Sequence, residues 1–259
     1  MIWSNNSCAY DSIFTVLFSI WCNNKNLCNF NFQKMNNPFI IALLNGFNDV
    51  DKKIKTLEVI RDDVRRNLHT FFPQTMTFGN FTSVENIFAA LLETTYQVQS
   101  IEYRCRNNHV RRLYDSYSLV LINGTGHYES TQDWALRRQE ETRHSCNVCN
   151  ELVFIKYSFT DMPSLVVFEF GNQVLHINLL IDIQHHNGHA SQSMRLAGVV
   201  YYGQHHFTAQ NILSDGQFWF YDGVDTGKNL IYSGTVNLNP PNLSLCRGKQ
   251  AVAAIYVCV

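Results

Sequence analysis

Over the first hundred positions, apolar residues recur at helical spacing. From Asp11 to Trp21, Ile13, Phe14, Leu17, Phe18, Ile20 and Trp21 follow that period after the turn-forming segment Ser4-Asn5-Asn6-Ser7, which predicts a helix with Cys8 at its N-terminus. The same pattern predicts helices over Pro38 to Phe47, over Lys52 to Phe71 on Leu57, Ile60, Val64 and Leu68, and over Ser83 to Thr95. Beyond about Val98 the texture changes to short β-prone runs: Gln97 to Arg104, Tyr117 to Ile122, Leu152 to Phe159, Ser164 to Phe170 and Leu175 to Ile183. Met194 to Tyr202, His205 to Ile212, Gln217 to Tyr221 and Ala251 to Val259 continue it, with turn signals at Asn123-Gly124, Asn187-Gly188 and Asp215-Gly216. Helices first and a mainly antiparallel sheet afterwards make an α+β chain.

Composition narrows what such a chain can do. With 259 residues, 46% hydrophobic and 13% aromatic, it can bury the core of one large domain and is not disordered. A net charge of -1 carries no basic excess, so neither nucleic acid nor an anionic membrane is an expected partner. No run approaches the roughly 18 apolar residues of a membrane span, and no basic start precedes an apolar stretch. The expectation is an intracellular protein of cytoplasm or nucleus. Because MIWSNNSCAY enters its first motif at once, a monomeric domain of something longer is expected. The eight cysteines read as reduced thiols, since a chain this large needs no bridges.

Three residues form a candidate catalytic set. A thiol performs amide chemistry as thiolate, and helix N-termini favour the anion, so Cys8 is a candidate nucleophile; alone it would be a small buried hydrophobe. In VVYYGQHHFTAQ a strand meets a turn and then His205 and His206. Adjacent residues of a strand face opposite sides, so at most one of them meets Cys8. Asp222 ends the aromatic run in DGQFWFYDG, where a hairpin at Asp215-Gly216 would bring it back beside the histidine to orient the imidazole. A nucleophile, base and orienting acid in this order are more specific together than separately.

With those residues placed, the chain resembles the ubiquitin-specific proteases. NNSCAYDSIFTVLF is similar to their Cys box, HHFTAQ to their His box GHYxAY, and FWFYDG to WxxFDD. The alignment assigns the base to His206 rather than His205 and the third residue to Asp222. SVENIFAALLE, MPSLVVFEF and IYVCV resemble further family segments in family order, so the resemblance covers nearly the whole chain.

The resemblance implies a papain-like fold in one catalytic domain: a helical thumb at about 1–98, fingers at about 99–160 and a palm at about 161–259. It also implies a thiol isopeptidase that cleaves after the C-terminal glycine of ubiquitin or a ubiquitin-like modifier, with that modifier and its conjugates as partners. HF in place of HY is closer to the SUMO isopeptidase branch, and a catalytically weakened ubiquitin-binding module or a general papain-like peptidase are the other readings. The family's oxyanion asparagine position holds Trp3 here. The Cys8 N–H, Asn5, the Trp3 indole or Asn6 would substitute, with Asn6 the choice.

Cys146-x-x-Cys149 is a zinc half-site that needs two more ligands. Cys105-x-x-x-His109 is the best partner, with His144 and His127 as rival fourth ligands and free thiols as the metal-free alternative. The family's fingers carry zinc in this region, which implies a structural Zn2+ on Cys105, His109, Cys146 and Cys149. The histidines of QHHNGH, His185, His186 and His189, read as a solvated turn. Arg61 to Arg66 and Arg104 to Arg112 read as solvated faces, and Phe71, Phe72, Phe78 and Phe81 as core.

Overall fold

The second to fifth helices begin where a side chain replaces the missing backbone partner of their first N–H groups, whereas Ser7 before the first helix makes no such cap. Helix α1 (Cys8–Asn23) follows Ser7 and is succeeded by α2 (Lys25–Met35), capped by Asn24, and α3 (Pro38–Asp51), capped by Asn37 with proline at its first position. Thr56 caps α4 (Leu57–Phe71) and Ser83 caps α5 (Val84–Leu92). The helix expected from Lys52 therefore starts five residues later, where Thr56 accepts from the Val59 N–H at 3.5 Å. Helix α2 is a correction to the sequence expectation: its Asn-rich surface has no apolar stripe, and only Cys28, Phe32 and Met35 are buried.

The computed structural model describes residues 1–121, 129–137, 139–171, 173–185, 191–236 and 242–258; the Asn123-Gly124 and Asn187-Gly188 turns lie outside them. After the helices the chain enters β1 (Gln99–Cys105), β2 (Val110–Asp115) and β3 (Leu119–Leu121), then α6 (Thr131–Arg137), β4 (Gln139–Ser145) and β5 (Leu152–Phe159). It continues through β6 (Leu165–Glu169), β7 (Leu180–Gln184), β8 (Ser191–Gly203), β9 (His206–Ile212) and β10 (Gln217–Tyr221) to β11 (Ile231–Thr235), β12 (Leu245–Cys246) and β13 (Lys249–Cys258). Two sheets result. One is four-stranded in the order β2-β1-β5-β4, and the other is nine-stranded along β11-β10-β9-β8-β13-β6-β3, with β7 and β12 pairing at its side. All pairs are antiparallel except β3 on β6. The observed architecture is the mixed helical and antiparallel fold expected; β2, β4, β11 and α6 are additions whose polar or short runs give little periodic signal.

Both faces of the large sheet are buried, as period-2 alternation along β13 shows. Ala253, Ile255 and Val257 pack with the helices, whereas Ala254 and Tyr256 pack on the opposite side with Trp134 of α6. Helix α1 is the centre of the helical side: Ile13, Phe14, Val16, Leu17 and Trp21 are at most 1% exposed, each worth roughly 1.5–3 kcal/mol of apolar burial. That packing sets the N-terminus of α1 against β9.

Candidate active site

Two tight turns deliver the candidate catalytic residues. Before α1, the Ser7 N–H donates to the Ser4 carbonyl at 3.1 Å, with Asn5 and Asn6 at φ 48° and 56°. This is a type I′ turn, and asparagine tolerates its left-handed region better than most residues. Between β8 and β9, Gly203 pairs with His206, and the two linking residues Gln204 and His205 sit at φ 54° and 57°. That is the two-residue hairpin whose twist matches paired strands. His205 is thus spent on the turn, and His206 opens β9.

Cys8, His206 and Asp222 line one cavity of about 460 Å3 together with Trp3, Asn6 and Phe81. His206 Nε2 lies 2.8 Å from Asp222 Oδ1. A carboxylate only accepts, so Nε2 is the protonated nitrogen and Nδ1 is the acceptor that remains. Asp222 is fixed in turn by the backbone N–H groups of Val224 at 2.9 Å and Asp225 at 3.3 Å. Burial alone would raise its carboxyl, but the His206 ring N–H and these two amides outweigh it and hold the group below the usual carboxylate range. Lys249 Nζ stands 3.9 Å from the other carboxylate oxygen.

Cys8 is 4% exposed, and this corrects the expectation of a thiol acidified by its helix. Burial pushes it up; the backbone N–H groups of Phe207 and Ala9 pull the other way without prevailing, and buried Asp11 adds to the rise. Asn6 donates from Nδ2 to the Gly79 carbonyl at 2.9 Å, so one of its two amide protons is committed. Trp3 is 40% exposed and its backbone N–H holds the Gly223 carbonyl at 3.1 Å.

Two sequence expectations fail here. Arg61 and Arg65 are 2% and 1% exposed, not solvated: they share the buried stripe of α4 with Ile60, Val64 and Leu68. Helical spacing from Ile60 and Val64 was the available signal; the interleaved Asp62 and Asp63 masked it. Of the four phenylalanines expected in the core, Phe71, Phe72 and Phe81 are 66%, 36% and 47% exposed and Phe78 is half-buried; Phe81 lines the cavity, stacked on Phe207 with centroids 5.5 Å apart. Lys249 and Arg247, which also line the cavity, stand in a part of the chain without a motif to mark them.

The Cys/His cluster forms at one end of the four-stranded sheet. Cys105 ends β1 and His109 precedes β2, in a turn closed by the Asn108 N–H on the Cys105 carbonyl at 2.9 Å. Cys146 and Cys149 occupy the β4–β5 turn, closed by the Asn150 N–H on the Cys146 carbonyl at 2.8 Å. Their four donor atoms lie within 4.8 Å of one another, with Cys105 Sγ 3.6 Å from both His109 Nδ1 and Cys149 Sγ, and Cys146 Sγ 3.6 Å from His109 Nδ1. Ligands at about 2.1–2.3 Å in a tetrahedron stand about 3.5–3.8 Å apart, so the set fits a metal ion. The backbone N–H groups of Val148 and Cys149, with the His109 ring, push the Cys146 thiol down to about 6. His109, not His144, completes the cluster; His127 lies outside the described residues. His185 is engaged with the Thr160 carbonyl at 2.7 Å, and His186 and His189 also lie outside.

This fold, a helical lobe against a mainly antiparallel sheet, is shared with solved structures of deubiquitinase modules. Among solved structures it matches the SAGA Ubp8/Sgf11/Sus1/Sgf73 DUB module bound to ubiquitin aldehyde, with a TM-score of 0.64 at 12% identity over 100% of this chain and 69% of that one. The same module bound to monoubiquitin matches at 0.63, 12% identity, 100% and 68%, and the yeast SAGA DUB module with a substituted Sgf73 at 0.59, 13%, 100% and 68%. No family profile and no curated protein matches the sequence.

Proposed function

We propose that the chain is a thiol-dependent isopeptidase that cleaves after the C-terminal glycine of ubiquitin, with Cys8 as nucleophile, His206 as base and Asp222 as the acid that orients it. The observation that carries this reading is the 2.8 Å bond from His206 Nε2 to Asp222 in the cavity that Cys8 also lines. Neutral His206 takes the thiol proton on Nδ1 as sulfur attacks the glycyl carbonyl, and gives it to the departing lysine amine. The resulting thioester is hydrolysed when the same nitrogen takes a proton from water. The Cys8 N–H and the remaining Asn6 amide proton are the proposed oxyanion donors.

The helical lobe, the four-stranded sheet and the large sheet correspond in this reading to thumb, fingers and palm of one domain. Two of the matching structures hold ubiquitin, which supports ubiquitin as the modifier. Cys105, His109, Cys146 and Cys149 would hold Zn2+ with no open position, so the ion would tie two turns together and take no part in the reaction. A monomeric intracellular protein is part of this proposal; among the described residues no helix is long and apolar enough to cross a membrane. The test is ubiquitin propargylamide, with a SUMO probe alongside. Wild type is expected to form a thioether at Cys8 and Cys8→Ala none; labelling that survives Cys8→Ala removes the reading, and labelling by SUMO alone changes the modifier.

A further inference from the structure

Two buried arginines of α4 are tied to the loop that presents Cys8. Arg61 Nη1 donates to the Ile2 carbonyl at 2.7 Å and to Asp11 Oδ1 at 2.9 Å, and Nη2 donates to Ser4 Oγ at 2.7 Å. Asp11 Oδ2 in turn accepts from Ser7 Oγ at 2.5 Å. Arg65 Nη2 donates to the Asn5 carbonyl at 2.6 Å, with Nη1 3.5 Å from the Ser4 carbonyl. Its guanidinium lies between the rings of Tyr10 and Phe78, 5.0 and 4.7 Å from their centroids. Planar forks of this kind, desolvated and stacked, hold geometry that a point charge cannot.

The partners of these forks are the backbone of a strained turn. Residues 2, 4 and 5 supply the carbonyls, and Asn5 and Asn6 both lie in the left-handed region. A conformation of that type persists only where its surroundings over-determine it. It decides where the chain enters α1, and so where the first N–H groups of that helix point. Among the described residues no backbone carbonyl accepts from the Cys8 or Ala9 N–H; both N–H groups act instead on the Cys8 sulfur, beside which the oxyanion would develop.

We propose that Arg61 and Arg65 are positioning residues for the nucleophile loop: Arg61 holds it by the Ile2 carbonyl and the Ser4 hydroxyl and Arg65 by the Ser4 and Asn5 carbonyls, so that the Cys8 N–H and the Asn6 amide stay aimed at the developing oxyanion. The inference rests on the isopeptidase reading and separates two functions of one residue. Thiol reactivity at Cys8 needs only the sulfur, whereas turnover also needs the aligned donors.

The experiment uses Arg65, since loss of Arg61 would leave buried Asp11 without its cation. Arg65→Met and Arg65→Lys are compared with wild type in three measurements: hydrolysis of a ubiquitin C-terminal fluorogenic amide, alkylation of Cys8 by iodoacetamide followed on its peptide by mass spectrometry, and the urea midpoint. For Arg65→Met, kcat is expected to fall on the order of 10- to 100-fold, with KM and the alkylation rate within about threefold of wild type. Arg65→Lys keeps the charge between the rings and one hydrogen bond, and recovers part of the loss. If Arg65→Met is too unstable to assay, the same kcat-against-alkylation split in Arg65→Lys decides. Unchanged kcat, or kcat and alkylation falling together, overturns the clamp. A wild-type chain that neither turns over the substrate nor reacts with the ubiquitin probe removes the isopeptidase reading, and the clamp's catalytic meaning with it.

Discussion

At the scale of single residues, burial and hydrogen bonding pull the two ends of the candidate triad in opposite directions. Asp222 is held ionised by three N–H donors, while desolvation keeps Cys8 protonated. In the proposed mechanism the thiol keeps its proton until substrate arrives, in keeping with the upward direction of its shift. The sign follows for pH: a thiol raised above its ordinary value gives a thiolate fraction that grows through neutrality and is still growing at pH 8. The alkylation rate of Cys8 by iodoacetamide is expected to climb steadily from pH 6 to pH 9. A plateau already reached at pH 6 would show a preformed thiolate–imidazolium pair instead. Which residues could be catalytic was legible from Cys8, His206 and Asp222 in sequence; the direction of the thiol shift was not, because it comes from burial that exists only in the fold, against which the Phe207 N–H pulls.

At the scale of elements, the four-stranded sheet illustrates how a ligand cluster substitutes for a core. Its strand β2 is almost wholly exposed, and among the described residues the buried apolar cluster at that end is Cys105, Cys146 and Val153. So little apolar area offers little to hold two turns together, which makes the bound ion the natural source of order there. The purified chain is expected to contain one zinc per molecule by elemental analysis, and Cys149→Ser to lose it. Chelation is expected to abolish amide protection across β1, β2, β4 and β5 while β8 and β13 keep theirs in hydrogen-exchange mass spectrometry. Equal protection before and after chelation would mean that the sheet stands without metal. The ligand spacing was visible in the chain, but the choice of His109 over His144 was made by the β1–β2 turn, which points Nδ1 at the thiols.

At the scale of the whole molecule, the site exists because a helix from the N-terminal lobe touches a strand some two hundred positions later. The close approach depends on Gly198 of β8: a Cβ there would stand 2.5 Å from Val16 Cγ1 of α1 and 3.1 Å from the Gln210 carbonyl of β9. Gly198→Ala is expected to cost about 1–3 kcal/mol by overpacking, read as a lower urea midpoint at unchanged slope. Val16→Ala in the same chain is expected to restore part of that loss, and strictly additive effects in the double-mutant cycle would argue against the contact. The sequence by itself determined the elements with strong periodicity and the order of the motifs, because periodicity and turn chemistry are local, and through a family resemblance it nominated Cys8, His206 and Asp222 as candidates. Tertiary structure alone decided that Arg61 and Arg65 hold the carbonyls of the segment before Cys8, that Phe81 lines the cavity, and that burial raises the Cys8 thiol. Each of those depends on which surfaces meet when α1 and α4 pack on the sheet, and spacing along a chain does not carry that information.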